Sequence, residues 1–484
     1  MKGKRIFDAL TRVRDEYIDE ASRTKLKKQH SGFRKLLTVA AGLVVVLGIG
    51  TILALQGLLP FGGSSGGAGH MGGSTFMSYA GPVFPMSLSK EDSDIAANRN
   101  IVYDFSLPRE DSVRVWGSDV KDSYLLHNSS KEEKRITAIY PFAGSFQDLE
   151  KLIPDVTIEE QGISAELIAG GYSDRIAKLN SRENYQSLLE DGSYQRYALS
   201  PSPVLSEQVT VYTFADYVTP KEYPAATQAI SFTIDPDKTT ILTYGFEGGQ
   251  FEEGGYRRFS YSVPNNERIR KGLKLLIVIG EDIGDYSLEG YKTGACEEGN
   301  GLDGVSVTIT RSEQNLSDVM TELIGNYFTL KEHEIPGSRE MFTRAVAEFM
   351  IQYDLLSTGG RYQMGMMEDV FSETSGMQRV FYLSFPITIA ADGNILVSMN
   401  FHKDPSYDYT CSGNKNKDIQ GYDMATRLGS NLKFNKLTAE LLSYSHIEIV
   451  RQNYGFDLTK GISKINLDTS VDFYYLEIKP QKVK

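Results

Sequence analysis

Short serine–lysine motifs are the first residues in this 484-residue chain whose types and spacing could do chemistry. Ser87 and Lys90, and again Ser412 and Lys415, match S-x-x-K, while Lys292, Thr293 and Gly294 read K-T-G. In serine hydrolases that combine such motifs, a lysine beside the serine tunes proton transfer. Here Ser87 sits in a short proline-flanked segment rather than at a helix start. Ser412 follows K-T-G, which is the wrong order. An extracellular hydrolase therefore ranks last among the functional classes. The chain has no P-loop, and its matches to G-x-S-x-G at Gly62–Gly66 and to G-x-G-x-x-G at Gly67–Gly72 and Gly299–Gly304 fall in glycine-rich stretches without the strand-to-helix setting of a nucleophile elbow or a Rossmann fingerprint.

The six histidines are His30, His70, His127, His333, His402 and His446, and none forms an H-E-x-x-H pair. A histidine-rich zinc centre is not expected. Glu281, Asp282, Asp285 and Glu289, then Glu297, Glu298 and Asp303, make an acidic loop region of the kind that can bind calcium. Their spacing misses the EF-hand pattern, and acidic loops ordinarily face water. No catalytic, cofactor-binding or metal-ligating residue is assigned, and no cofactor is expected. The two cysteines, Cys296 and Cys411, can form a disulfide if their Cα atoms come within about 7 Å. Two separate thiols fit the sequence equally well. Tyr244, Tyr256, Tyr261, Tyr407, Tyr409, Tyr474 and Tyr475 could stack on sugars or peptides, although strand interiors also use tyrosine.

Strands are the elements that must position these groups. Ile101, Tyr103 and Phe105 alternate with their neighbours, as in a half-buried strand. Residues 122–127 and 135–140 flank the polar run HNSSKEEK and read as a hairpin. Further strand-like runs fall at 208–214, 228–235, 240–246, 257–262, 274–280 and 304–310, and again at 379–389, 394–401 and 471–479. Phe232, Ile234, Asp237, Ile241, Leu242 and Phe246 echo Phe385, Ile389, Asp392, Ile395, Leu396 and Phe401 as strand, polar turn, strand. Two helices interrupt the pattern. One runs from a Ser317 N-cap to Phe328, and the other from about Ser338 to Leu356, with shorter helical pieces near 146–152 and 181–190. The expected fold is mainly β: an antiparallel β-sandwich-like ectodomain with a helical pair, preceded by a single N-terminal transmembrane helix.

That helix is read from Leu36–Leu55, twenty residues without a charge. As a helix they span about 30 Å, the hydrocarbon thickness of a bilayer. The formal net charge of −12 is split around this segment. Residues 1–35 hold eleven bases against five acids, +6, which leaves 40 bases and 58 acids, −18, for the rest. The positive-inside rule puts the tail in the cytoplasm and the large C-terminal portion outside the cell membrane. The acidic exterior argues against nucleic acid as a partner. Residues 56–77 form a Gly/Ser-rich linker, with eight glycines between Gly57 and Ser74. Beyond it the sequence divides into a β-rich part, 78–310, and an α+β part, 311–484.

The tail itself reads as an amphipathic helix over residues 3–21. Ile6, Leu10, Val13 and Tyr17 recur at spacings of 4, 3 and 4, with Phe7 and Ile18 beside them. A segment this short builds no core of its own, so the stripe needs a protein or the membrane surface.

The run FDALTRVRDEYIDEA (7–21), followed by a basic stretch and one spanning segment, resembles single-pass membrane proteins of Gram-positive bacteria that are anti-sigma-factor-like. The resemblance covers about the first 55 residues. It implies a cytosolic segment that holds a sigma factor, here through Phe7, Leu10, Val13 and Tyr17, and an ectodomain that senses envelope conditions. The tail departs from the zinc-binding anti-sigma type, since it has only His30 and no cysteine. The leading expectation is thus a bitopic protein that binds or senses an unknown envelope ligand. A structural or adhesive envelope protein without signalling is the alternative.

Overall fold

Alternation of buried and exposed positions organises the strands. In Ile95–Asp104, Ile95, Ala97, Ile101 and Tyr103 are buried between half-buried or exposed neighbours, because successive strand side chains point to opposite faces. The computed structural model describes residues 69–71, 74–76, 79–106, 117–172, 185, 189, 203–265, 272–331, 334, 337–352, 355, 365–409 and 416–481. The chain divides into two units, Met1–Leu59 and Pro60–Lys484, and every described residue belongs to the second. That unit is mainly β, with several antiparallel sheets.

The largest sheet has the order Lys464–Leu467, Lys433–Leu442, Ile95–Asp104, Ser118–Asn128, Asn394–Lys403, Asp155–Ile158, Gln161–Gly162. One end of its inner face shares a core with the sheet Ser87–Leu88, Lys134–Gly144, Arg379–Ile389, Glu166–Tyr172. There Ile95, Ala97, Leu126 and Val397 meet Ala138, Phe142 and Phe381. The other end, with Ile101, Tyr103 and Val120, packs with Tyr422, Met424, Leu476 and Ile478. Those four belong to the sheet Tyr407–Asp408, Gln420–Ala425, Phe473–Pro480, Ile447–Gln452.

Residues 203–376 are inserted between the paired strands Glu166–Tyr172 and Arg379–Ile389. They supply a five-stranded sheet, Ser306–Asn315, Gln208–Val218, Leu275–Gly280, Thr239–Tyr244, Gly365–Met366. A four-stranded sheet, Gly248–Phe251, Tyr256–Pro264, Ala225–Thr233, Tyr286–Tyr291, lies against it. Leu275–Gly280 shows why the two layers hold. Leu276 and Val278 join Phe214, Ile230, Phe259 and Tyr261, whereas Leu275, Ile277 and Ile279 join the helices. Such a doubly covered strand reads as one continuous apolar run.

Three helices fill the space behind that strand: α1 (Leu316–Leu330), α2 (Arg339–Gln352) and α3 (Met367–Gly376). Helix α2 begins where expected, because the Ser338 hydroxyl accepts a hydrogen bond from the Met341 amide at 3.1 Å. Helix α1 corrects the expected cap. It follows directly on the strand Ser306–Asn315, so Asn315 is the N-cap and Ser317 lies inside the helix. Helix α3 was not expected, since its buried apolar stripe is only Met367, Val370 and Phe371. The helical piece near 146–152 is a single turn, Leu149–Leu152. Most of 181–190 lies outside the described residues.

The expected strand-like runs form strands, whereas Glu166–Tyr172, Tyr286–Tyr291, Gln420–Ala425, Lys433–Leu442 and Ile447–Gln452 were not expected, and the hairpin across HNSSKEEK does not form. Ser118–Asn128 pairs within the largest sheet and Lys134–Gly144 within its neighbour, so the chain crosses between layers there. Both echoing segments do the same. Ala225–Thr233 and Thr239–Tyr244 sit in different sheets, as do Arg379–Ile389 and Asn394–Lys403. A polar turn between two strands has the same sequence signature whether they pair or face each other. Long-range partners decide the outcome. Among the described strands two pairings are parallel, notably Lys433–Leu442 with Ile95–Asp104, and the isolated Val83–Met424 bridge is parallel too. The position 310/311 falls inside the strand Ser306–Asn315.

On α1, Leu323 is fully buried while Leu330 is 64% exposed. Leu323→Ala should cost about 2–5 kcal/mol through the cavity it leaves. Leu330→Ala should stay within about 0.5 kcal/mol. Equal shifts of the two urea midpoints would show that α1 does not bury this face.

Candidate functional site

Two complementary charges interrupt the inner face of the largest sheet. Reading inward-facing positions only, one strand runs Ile95, Ala97, Arg99, Ile101, Tyr103 and its neighbour runs Val120, Asp122, Tyr124, Leu126. Arg99 and Asp122 are completely buried. The guanidinium donates from Nε to Oδ1 and from Nη2 to Oδ2 of Asp122, both at 2.9 Å. Its remaining donors reach backbone carbonyls, Nη1 to Ala425 at 2.8 Å and Nη2 to Phe84 at 3.2 Å. The hydroxyls of Tyr124 and Tyr140 donate to Oδ2 of Asp122 at 2.8 and 3.2 Å. Burial would discharge the guanidinium, but the Asp122 carboxylate outweighs it and raises the Arg99 pKa. Burial raises both tyrosines, so they act as neutral donors. The fork geometry of arginine suits this bidentate pair.

A cleft opens beside the pair and shares its walls. Phe84, whose carbonyl accepts from Arg99, and Tyr140, whose hydroxyl donates to Asp122, both line it together with Phe142, Phe401 and Lys403. At about 80 Å³ it admits a few waters or a very small molecule, far below the few hundred Å³ of a typical cofactor pocket. Lys403 ends the strand Asn394–Lys403 and is half-buried. Its ammonium reaches the Ala80 carbonyl at 3.5 Å. Burial lowers its pKa to about 8, against the pull of Asp423 and Asp404. Asp423 is buried and accepts from the Tyr79 hydroxyl at 2.6 Å.

A second polar site closes one end of the inserted sheets. Lys274 Nζ donates to the Gly245 carbonyl at 2.6 Å and lies 5.0 Å from the Tyr261 ring centre. The Gly245 amide donates to Glu368 at the start of α3. Gly245 has a φ of +81°, and a Cβ there would stand 2.5 Å from the Leu273 carbonyl, so only glycine fits without strain. Burial lowers the Lys274 pKa and raises those of Glu368 and Asp369. Burial, with Asp369 beside it, pushes Glu373 up to about 7.

The residues singled out in sequence are scattered. The Ser87 hydroxyl donates to Asn431, the K-T-G residues lie in a loop, and Ser412 and Lys415 lie outside the described residues. Three carboxylates of the acidic stretch are taken up by neighbours: Glu281 pairs with Lys238 at 3.3 Å and Asp282 with Arg311 at 2.8 Å, while Glu289 accepts from Tyr291. Among the described residues no group of three or more His, Cys, Asp or Glu could hold a metal ion. His402 Nδ1 is 2.8 Å from Asp119, and His127 Nδ1 is 3.0 Å from Asn394. Cys296 is a half-buried thiol whose pKa burial raises, and Cys411 lies outside the described residues. Tyr244, Tyr261, Tyr407, Tyr409 and Tyr474 are core residues. Those five offer no exposed stacking platform, whereas Tyr256 and Tyr475 are half-buried.

Phe7, Leu10, Val13, Tyr17 and Leu36–Leu55 lie outside the described residues. Among the described residues no helix is long and apolar enough to cross a membrane. No known family model matches the chain, and no curated protein matches it.

Two measurements test the polar core. Arg99→Met or Asp122→Leu alone should destabilise by about 3–5 kcal/mol, because each strands a buried charge, and the double variant should recover most of the loss. Simple additivity in urea denaturation would disprove the coupling. For Glu373, the folded-state pKa is raised from 4.5 to about 7. Its contribution is therefore complete below 4.5 and is lost as pH rises through about 7. Glu373→Gln should flatten the fall in stability across that window; an unchanged pH profile would contradict it.

Proposed function

We propose that the protein is a single-pass membrane protein whose β-rich extracytoplasmic part binds or senses a component of the cell envelope. The observation that carries this reading is Leu36–Leu55, twenty uncharged residues between a +6 tail and a glycine-rich spacer. A helix satisfies its own backbone polar groups, so such a segment is stable in lipid. The described sheets support the reading by their position, since the first bridge to a distant strand, Tyr79 with Tyr407, comes after the spacer. The ectodomain is an antiparallel β-sandwich-like assembly with helices packed among its layers. On the cytosolic side, Phe7, Leu10, Val13 and Tyr17 present an apolar stripe to a protein partner, which the resemblance of the tail identifies as a sigma factor.

An arginine at the centre of a spanning helix costs about 2.5–3.5 kcal/mol. The full-length protein should stay with membranes after an alkaline wash, and Val45→Arg/Val46→Arg should release it. Protease added to intact spheroplasts should digest the C-terminal part and spare the tail. A wild-type chain found in the soluble fraction would end the anchoring proposal. Leu10→Asp/Val13→Asp should abolish co-purification of a sigma factor; recovery at wild-type yield would remove the tail from that role.

A further inference from the structure

We propose that the cleft at Lys403 captures small uncharged aldehydes, the ε-amine forming an imine with the carbonyl carbon. This does not rest on the membrane reading, and either can fail alone. Two other cations, Arg99 and Lys274, are held more closely than Lys403 is. Arg99 makes four hydrogen bonds, two of them to one carboxylate. Lys274 has a 2.6 Å carbonyl and an aromatic face. Lys403 has, among the described residues, one acceptor at 3.5 Å and no ion pair within 4.0 Å. That distance is near the limit for a hydrogen bond. Lys403 is half-buried and lines the cleft, so its weakly held amine is within reach of a molecule that enters.

The walls decide what the amine can meet. Pro141, Phe142 and Phe401 make the cleft largely apolar, and its volume of about 80 Å³ admits only a few heavy atoms. Asp148 and Asp404 also line it, so a keto acid would bring its carboxylate against two like charges. An uncharged carbonyl compound meets no such repulsion. Burial favours the neutral amine, which is the nucleophilic form. In the reaction the nitrogen lone pair attacks the carbonyl carbon, giving a carbinolamine. Its oxygen then leaves as water, carrying both hydrogens of the amine, and a carbon–nitrogen double bond remains. No oxidant or reductant is consumed.

The test uses the full-length protein, propanal as the probe and cyanoborohydride to reduce the imine to a stable secondary amine. At neutral pH and limiting reagent, peptide mapping should find Lys403 propylated about tenfold or more ahead of exposed lysines. Lys460 and Lys464, with side chains 75% and 60% exposed, are the internal references. The preference should vanish in urea-unfolded protein, and pyruvate should show none. Lys403→Arg keeps the charge and should leave the circular dichroism spectrum unchanged while removing the fast-labelling site. Labelling of Lys403 no faster than of Lys460, or equal preference with pyruvate, would overturn the proposal.

Discussion

The buried pair of Arg99 and Asp122 is the constraint around which the two ends of the largest sheet are arranged. A sheet face this long covers two different partner layers, and the pair sits at the point where one core gives way to the other. Its energetic character is asymmetric. Compared with apolar residues of the same volume, a buried ion pair contributes little stability, but removal of one member is severe. The arrangement is therefore better described as a condition on the fold than as a source of stability. Strand register, the tyrosine hydroxyls and the backbone carbonyls of Phe84 and Ala425 must all be in place for the two charges to be tolerated. A shift of one residue in either strand would turn a charge out of the network and an apolar side chain into water.

The inserted residues 203–376 face a different demand. Their five-stranded sheet is covered on both faces, by the four-stranded sheet on one side and by the helices on the other. The helices in turn share a core with the strands on either side of the insertion. Phe342 of α2, for example, lies 5.1 Å from both Phe146 and Phe328, ring centre to ring centre. The insertion is thus bound to its host by packing as well as by the chain.

Much of this was legible in the sequence at the level of single elements. Period-two alternation located the second half of Ile95–Asp104, strand-like runs located Arg379–Ile389 and Asn394–Lys403, and the apolar spacing of α1 and α2 located those helices. Pairing was not legible. The polar runs after Asn128, Thr233 and Ile389 have the composition of hairpin turns but carry the chain between sheets, and only contacts distant in sequence distinguish the two cases. The polar core was missed for a related reason. Arg99 and Asp122 look like solvent-facing charges until both strands are put in phase, when each falls on the inward position. Opposite charges at the apolar phase of two strands were the available signal. Lys403 carried no signal at all, because its setting depends on Ala80 and Asp423, which meet it only in the folded chain.

After the paired strands Gly69–Met71 and Ser74–Phe76, which fall within the expected linker, the segment from Tyr79 to Leu88 is where the chain joins the larger sheets. Tyr79 and Val83 bridge Tyr407 and Met424, and Ser87 and Leu88 pair with Ile139 and Ala138. Between them, the carbonyls of Ala80 and Phe84 serve Lys403 and Arg99. A force applied to the polypeptide upstream of Tyr79 is therefore borne first by this segment. Its bridges are reinforced by backbone bonds from Ala80, Val83 and Ser89 and by the contacts of Ser87 and Leu88 with Asn431. Each carbonyl drawn away would leave one of the two cations with a lost acceptor. The segment thus ties the placement of the chain's first long-range contacts to the charge balance of the interior.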